Sequence, residues 1–486
     1  MIDTKALREK ILDLAMRGKL VPQDPNDEPA SELLKRIKAE KEELIKQKKI
    51  KRDKNETEIF KGDDGLHYEK FADGTVKEIE VPYEIPDGWV WARIASATKN
   101  IVAGGDKPNE VSTEKTNEFK FPIYSNGVKN NGLYGWAKEA KITEPSVTVS
   151  ARGTIGFTAI RHHPFVPIVR LISVTPLRDS VDVSFLKYML SHLIPTGEGT
   201  SIPQLTVPGI KPFLISLPPY HEQLRISESI ESYLQIIDEI DKGQVELKNL
   251  ADQLKQKVLD IAMQGKLVPQ DPNDEPASVL LDKIREEKQR LFEEGKLKKK
   301  DLVETEIVKG VDNAYYEKLV NGEFAEIEFH YMHPKKWVKS KLSEMVIIVP
   351  AKKFQIKQSE ISINGLYPVI SQSANAIEGY SDASTKVFEH DQPVIVFGDH
   401  TRNVKFVSEN FIVGVDGVKI LVPIYSDAAF LKLQIEQVLP FVKDRGYARH
   451  WSYLEKEWIS TPSISLQEKI INMINQFDKF VEIFFQ

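Results

Sequence analysis

GKLVPQDPNDEPAS runs from Gly18 to Ser31 and recurs, with no residue changed, from Gly265 to Ser278, a displacement of 247. Fourteen identities in register decide the architecture, because self-similarity at one displacement marks a duplicated unit. The likeness extends backward, LREKILDLAM from Leu7 against LKQKVLDIAM from Leu254, and forward through LLKRIKAEK at Leu33 and LLDKIREEK at Leu280. One inserted residue later it resumes at 248: ETEIFKG from Glu56 matches ETEIVKG from Glu304, and YEKFADGTVKEIE from Tyr68 matches YEKLVNGEFAEIE from Tyr316. Asp73-Gly74 and Asn321-Gly322 fall at one place in the two copies, and both suit the centre of a two-residue type I′ hairpin. Each copy closes on a proline and a tryptophan, Pro86 and Trp89 or Pro334 and Trp337.

Between the copies lie two unlike segments, about 90–215 and 338–461, that mix short β-type runs with Gly, Asn and Ser turns. A faint common plan joins them, PIYSNG at Pro122 facing PVISQS at Pro368. Each reads as an α+β or mixed α/β fold. A duplicated scaffold holds the same thing twice; two diverged segments hold different things.

Residues from about Gln223 to Gln264 read as one long helix with a seven-residue repeat. One seam carries Ile226, Tyr233, Ile240, Leu247, Leu254 and Ile261; the other carries Ile230, Ile237, Gln244, Ala251 and Val258. Such a helix needs a partner, and the two chain termini supply it in halves. At a displacement of 244, Ile470, Ile474, Phe477 and Val481 fall on the matching seams, while Leu7, Ile11 and Leu14 match Leu254, Val258 and Ile261. The expected architecture is therefore two globular domains separated by an antiparallel coiled coil of long helices, in a pseudo-two-fold cyclic arrangement. Its domains are a scaffold at 1–89, a first variable domain at 90–217, a central scaffold at 218–337, a second variable domain at 338–461 and a closing helix at 462–486.

Composition removes several alternatives. The 486 residues are 41% hydrophobic and 28% charged, a folded multidomain balance. With no cysteine there is no disulfide, no thiol nucleophile and no cysteine zinc site. No apolar run reaches bilayer length and the amino terminus lacks a signal-peptide core, so a cytoplasmic protein with no membrane partner is expected. A Walker loop is absent. LPPY at Leu217 lacks the hydrogen-bond acceptor of an amino-methyltransferase NPPY corner, so Pro218 and Pro219 read as a turn leading into the helix. No catalytic or metal site is assigned.

Several motifs together resemble the specificity subunit of type I restriction–modification systems: the block Ala15 to Gln23 with its copy Ala262 to Gln270, PDGW at Pro86, ARGTIG at Ala151 and SIPQLTVPGIKPFLISLPPYHEQ from Ser201. The second segment departs from this pattern, with GDHTRN at Gly398 for ARGTIG and TPSISLQ at Thr461 for LPPYHEQ. The resemblance implies two target-recognition domains that each read half of a split double-stranded DNA site, about one helical turn apart on one duplex face. It also implies a non-catalytic chain with two methyltransferase subunits docked on the duplicated scaffold and restriction or translocase subunits beyond them. S-adenosylmethionine, ATP and Mg are then expected on those partners, and no cofactor on this chain. Docking candidates in the repeated block are Leu20, Val21 and Pro22 with Leu267, Val268 and Pro269.

A formal charge of −6 leaves DNA binding to local faces. From Ala92 to Leu217 there are fourteen lysines and arginines against nine acids; from Val338 to Thr461 there are fourteen of each. Arg, Lys, Asn and Gln read base edges and phosphates. Candidates in the first segment are Asn126, Lys129, Asn130 and Asn131 in SNGVKNNG, Arg152 beside glycine, Arg161, His162 and Gln204. In the second they are Gln372 and Asn375 in SQSAN, His400, Arg402, Asn403 and Lys405 in DHTRNVK, and Arg445 and Arg449 in DRGYARH. Lys35 to Lys54, with ten cations and four acids, reads as a solvated helix face. Two other classes stay open at this point: a fused nuclease or methyltransferase, which would bind S-adenosylmethionine or cut DNA unaided, and a protein–protein adaptor without sequence-dependent DNA retention.

Overall fold

The computed structural model of the chain describes residues 1–53, 56–194, 197–198, 204–319, 321–327, 329, 334–414, 417–444, 446 and 449–485. The chain divides into two compact units, 1–245 and 246–486, each with one scaffold copy and one diverged lobe. The frame is carried by α1 (Thr4–Met16), α2 (Ala30–Lys46), α3 (Val183–Leu193), α4 (Tyr220–Met263), α5 (Ala277–Glu293), α6 (Ala428–Val438) and α7 (Ile464–Phe485). The division falls inside α4, which continues unbroken through Gly243 for 44 residues. At 1.5 Å per residue that is about 66 Å.

The invariant repeat has a steric cause. Gly18 has φ +65°, and a Cβ there would lie 2.3 Å from the Pro86 ring and 3.2 Å from Trp89; Gly265, at φ +66°, meets Pro334 at 2.7 Å and Trp337 at 3.3 Å. Only glycine fits a left-handed position this crowded. The proline and tryptophan that close each copy are thus what the repeated glycine packs against. After each block comes a helix with the same buried stripe: Ala30, Leu33, Ile37 and Lys41 in α2, Ala277, Leu280, Ile284 and Lys288 in α5. Spacings of three and four place these residues on one face.

In each unit α4 has an antiparallel companion. In the first, Ile2 N–H donates to Gln244 Oε1 at 2.7 Å, and Arg8 reaches Asp238 and Asp241 at 2.6 and 2.9 Å. In the second, Asp478 of α7 faces Lys255 at 3.1 Å, while Ile470 and Ile474 pack with Val258, Ala262 and Met263. The displacement of 244 also holds in buried residues: Ile226, Ile230 and Ile237 of α4 correspond to Ile470, Ile474 and Val481 of α7, and all six are buried. The seam through Ile230 and Ile237 is buried at those two residues and half-buried at Gln244, Ala251 and Val258. The other is covered only in part, since Tyr233, Leu247 and Leu254 are 45%, 46% and 51% exposed. The antiparallel companion lies along one stripe only, so the second opens to solvent.

The two lobes share one topology, apart from an extra strand at the edge of the second lobe's smaller sheet. In the first lobe, β1 (Val90–Arg93), β2 (Asn100–Ala103), β3 (Phe121–Tyr124), β4 (Leu133–Ala137), β5 (Ser146–Val149), β6 (Thr158–Arg161), β7 (Val166–Pro167), β8 (Ile172–Thr175) and β9 (Leu214–Leu217) follow in sequence. They form an antiparallel sheet β6-β5-β8-β2, a smaller sheet β7-β3-β4 with β7 parallel to β3, and a closing pair β9-β1. In the second lobe, β10 (Val338–Lys341), β11 (Val346–Val349), β12 (Tyr367–Ile370), β13 (Gly379–Ser381), β14 (Val387–Phe388), β15 (Val394–Gly398), β16 (Val404–Val407), β17 (Phe411–Val413), β18 (Val418–Pro423) and β19 (Trp458–Thr461) repeat the plan. The order is β16-β15-β18-β11, then β13-β12-β17-β14 with β17 parallel to β12, then β10-β19. The central strands β5 and β15 are buried on both faces, because α3 or α6 covers one side.

One turn differs from the expected form. Strands His67–Lys70 and Val76–Ile79 are joined through residues 71–75, with a three-residue loop 72–74 closed by Phe71 N–H donating to Thr75 O at 2.9 Å and Gly74 N–H to Phe71 O at 3.0 Å. Only Gly74 of the Asp73-Gly74 pair has positive φ, as only Gly322 has of its pair. The Asp73 carboxylate accepts the Thr75 N–H at 2.9 Å and holds Asp73 in an ordinary conformation, so the turn takes the longer form with glycine alone left-handed.

The copies also differ in one buried charge. Glu222, on the first turn of α4, accepts Trp89 Nε1–H at 2.9 Å and Gln23 Nε2–H at 3.1 Å, and burial raises its pKa against those two hydrogen bonds. Its counterpart is Leu466, and Trp337 Nε1 has no hydrogen-bond partner among the described residues. A carboxyl with a raised folded pKa loses stability as pH rises from the usual glutamate range through that higher value. Glu222→Leu should therefore gain on the wild type over that window in urea unfolding at stepped pH and hold a constant difference above it. A pH-independent difference would contradict this.

Candidate nucleic-acid interface

In the first lobe four chain segments meet beyond the ends of β3, β5 and β7. Asn126, two residues after β3, accepts Ala151 N–H on Oδ1 at 2.8 Å and donates from Nδ2 to Val169 O at 2.6 Å. Leu205 N–H donates to Ala151 O at 3.1 Å, and Arg170 Nη1 lies 3.5 Å from Gln204 Oε1. The junction gathers the turn 126–132, the loop 150–153, the corner 168–170 and the strip 204–205. Lys129, Asn130, Asn131, Arg152 and Arg170 are exposed on it. Asn130 and Asn131 take φ +49° and +57°, conformations that asparagine tolerates better than most residues.

The second lobe builds the same junction from other residues. Gln372, two residues after β12, accepts His400 N–H on Oε1 at 3.3 Å, and its carbonyl accepts Asn403 Nδ2–H at 2.9 Å. His450 N–H donates to Asp399 O at 2.9 Å, as Leu205 does to Ala151. Lys405 Nζ donates to Asn375 O at 2.5 Å, and burial lowers the lysine's pKa, with the Glu378 charge opposing. Arg402 has φ +63°, donates to Leu439 O and lies 3.4 Å from Asp444. Gln372, Asn375, His400, Arg402, Asn403 and Lys405 thus come together, and Arg449 is exposed beside His450. Arg445 lies outside the described residues.

Two candidates of the first lobe stand apart from the exposed group. Arg161 is 5% exposed; its Nε donates to Thr148 Oγ1 at 3.0 Å, its Nη2 to Asn131 O at 2.8 Å, and its guanidinium lies 3.6 Å from the Tyr124 ring centroid. Burial pushes its pKa down. It is an interior strut beneath the 126–132 turn, with no free face for a base. His162 is exposed, but Arg161 pairs with Ser146 and Thr158 with Val149, so His162 follows the end of β6 opposite the Arg152 loop.

Arg170 escaped the sequence reading. Val169 and Arg170 take φ +53° and +61°, unusual for a β-branched residue above all. Their N–H groups donate to Gly105 O and Gly104 O at 2.8 and 2.9 Å, and a Cβ on Gly104 would lie 2.6 Å from the Pro167 carbonyl carbon. The Gly104-Gly105 pair was the available signal.

On the scaffold, Val21 and Val268 are each 9% exposed and belong to the cores of their units; Leu20 and Leu267 pack partly against those cores. Pro22 and Pro269 are exposed, as is most of the identical PQDPNDEP that they begin. On α2, Lys35 pairs with Glu32 and Lys38 with Glu58 on a solvated helix face, whereas Lys41 pairs with Glu56 from the buried stripe.

A family described as the type I restriction modification DNA specificity domain matches residues 95–249. The type I restriction enzyme EcoAI specificity subunit of Escherichia coli is 34% identical over 362 residues, 61% of this chain and 57% of that protein. The chain thus spans little more than half the length of this relative. The C-terminus of a type I specificity subunit from Mycoplasma pneumoniae is 31% identical over 108 residues, which cover 22% of this chain and 74% of that sequence. A solved chain from work on complex assembly and conformational transition of the type I R-M system superposes with TM-score 0.52 at 14% identity, covering 83% of this chain and 93% of that chain.

The division between strut and surface has a direct consequence. Arg161→Met leaves the buried Thr148 hydroxyl and the half-covered Asn131 O without their donor and should cost about 1–3 kcal/mol in urea unfolding, whereas Arg152→Ala should stay within about 0.5 kcal/mol of the wild type. Equal losses would contradict these placements.

Proposed function

We propose that this chain, which belongs to the family of type I restriction–modification specificity subunits, reads a split site on duplex DNA with its two lobes and presents other subunits on its duplicated scaffold. The observation that carries the reading is one junction built twice from different side chains. In the first lobe Asn126 holds the junction together from within, and Lys129, Asn130, Asn131, Arg152 and Gln204 line it, with Arg170 added. In the second lobe Gln372 does the holding, and Asn375, His400, Asn403 and Lys405 line it. A constant frame with exchanged donors and acceptors is what two different half-sites demand, since base edges are told apart by their hydrogen-bond patterns.

The scaffold supports the complementary half of the proposal. Two exposed copies of PQDPNDEP, at 22–29 and 269–276, offer the same surface twice, which suits two copies of one partner. Methyltransferase subunits are the proposed occupants. Pro22 and Pro269 with the residues after them would make the contact, and Val21 and Val268 would support it from within. Chemistry that requires S-adenosylmethionine, ATP or Mg is assigned to the partners, together with the restriction and translocase subunits. Among the described residues no helix is long and apolar enough to cross a membrane.

Charge distributes the DNA contacts unevenly. The first lobe is net positive and the second neutral, so the salt dependence of binding should come mainly from the first. Each phosphate contact adds about 0.9 to the slope of log K against log salt. In titrations of the assembled methyltransferase with cognate duplex, Lys129→Ala and Arg152→Ala should each flatten that slope by up to about 0.9, in proportion to their phosphate contacts. Unchanged slopes for both, or sequence-independent retention by the wild type, would overturn the reading.

A further inference from the structure

We propose that Asn126 and Gln372 are equivalent positioning residues, each fixing the base-facing loop of its own reader without touching a base; this rests on the DNA-reading function proposed above. Both stand two residues after the corresponding strand, β3 or β12, and each uses its side-chain oxygen to hold a backbone N–H in the loop after the central strand. In the first reader the amide is engaged at both ends, by Ala151 N–H at 2.8 Å and Val169 O at 2.6 Å. A carboxamide suits this place because it accepts and donates in different directions.

The second reader solves the same problem with a longer arm. Hydrogen bonds from Leu205 to Ala151 O and from His450 to Asp399 O make Ala151 and Asp399 structural equivalents. Gln372 holds His400 N–H, one residue beyond that equivalent, and glutamine is one methylene longer than asparagine. Neighbouring glycines make room for it. A Cβ on Gly417 would lie 2.9 Å from the Gln372 carboxamide, and one on Gly398 would lie 2.9 Å from Gln372 Cβ. In the first reader the carboxamide therefore connects the loop after the central strand with the corner before β8; in the second it holds the loop after β15 and lies against Gly417, before β18. The loops it fixes present Arg152 in one reader and His400 in the other.

The test uses the full chain co-expressed with its methyltransferase partner and maps the methylated motif across a genome by single-molecule sequencing. Asn126→Ala should reduce base discrimination in one half of the split motif by about tenfold, the size of one lost base contact, and leave the other half unchanged. Gln372→Ala should do the reverse. Gln372→Glu, which keeps an oxygen toward His400 N–H, should retain the wild-type motif. A loss of methylated sites overall with both half-motifs intact would reduce the two residues to general stability and overturn the proposal, as would motifs unchanged in both alanine variants. If Asn126→Ala unfolds its reader, the alanine and glutamate variants at Gln372 still decide between these outcomes. A wild-type complex with no split motif would instead sink the DNA-reading function itself.

Discussion

Gln223 and Gln467, both inaccessible to solvent, each accept an N–H from the aspartate that caps the helix of the adjoining lobe: Asp182 above α3 and Asp427 above α6, at 2.9 Å in each unit. Those aspartates in turn accept Phe185 N–H and Phe430 N–H at 2.8 Å. The glutamine amides donate to carbonyls of the turn before the helix, Pro218 O at 3.0 Å and Pro462 O at 2.9 Å. A buried polar group of this kind is costly unless every bond is made, so the lobe helix, the closing strand pair and the first turn of the long helix are fixed together or not at all. The rest of each unit hangs on this joint. It locates the lobe on its frame and leaves the opposite loops free to vary.

Much of this was legible in the sequence, because identity in register is a strong signal. The repeat, the displacement of 244 and the turn at Pro218 and Pro219 all have structural counterparts. Arg225 pairs with Asp27 as Lys469 pairs with Asp274, the same displacements carried through an ion pair. The replacement of LPPYHEQ by TPSISLQ looked like a departure, yet its last residue is the joint glutamine. What the sequence could not show is which polar residues face inward. Arg161 and Arg152 are alike as letters, and only the strand register puts one over Tyr124 and the other in solvent. Val21 and Val268, expected at a docking surface, belong instead to the cores of their own units.

Two units with one plan need not be electrostatic equals. Glu222 ties Trp89 and Gln23 together where Leu466 offers Trp337 Nε1 no acceptor, and the first lobe carries the excess of cations. Duplication supplied the frame; divergence then acted on loops and on a few buried positions around the joint. That distribution matches the physics of recognition, in which the frame must be rigid and the donors and acceptors exchangeable.

Hydrogen–deuterium exchange on the assembled methyltransferase, with and without its cognate duplex, tests the central claim most directly. The account predicts new protection in 126–132, 150–153 and 168–170 of the first lobe, and in 372–376 and 399–403 of the second. Protection absent from both sets of loops, or confined to the scaffold repeats, would contradict it.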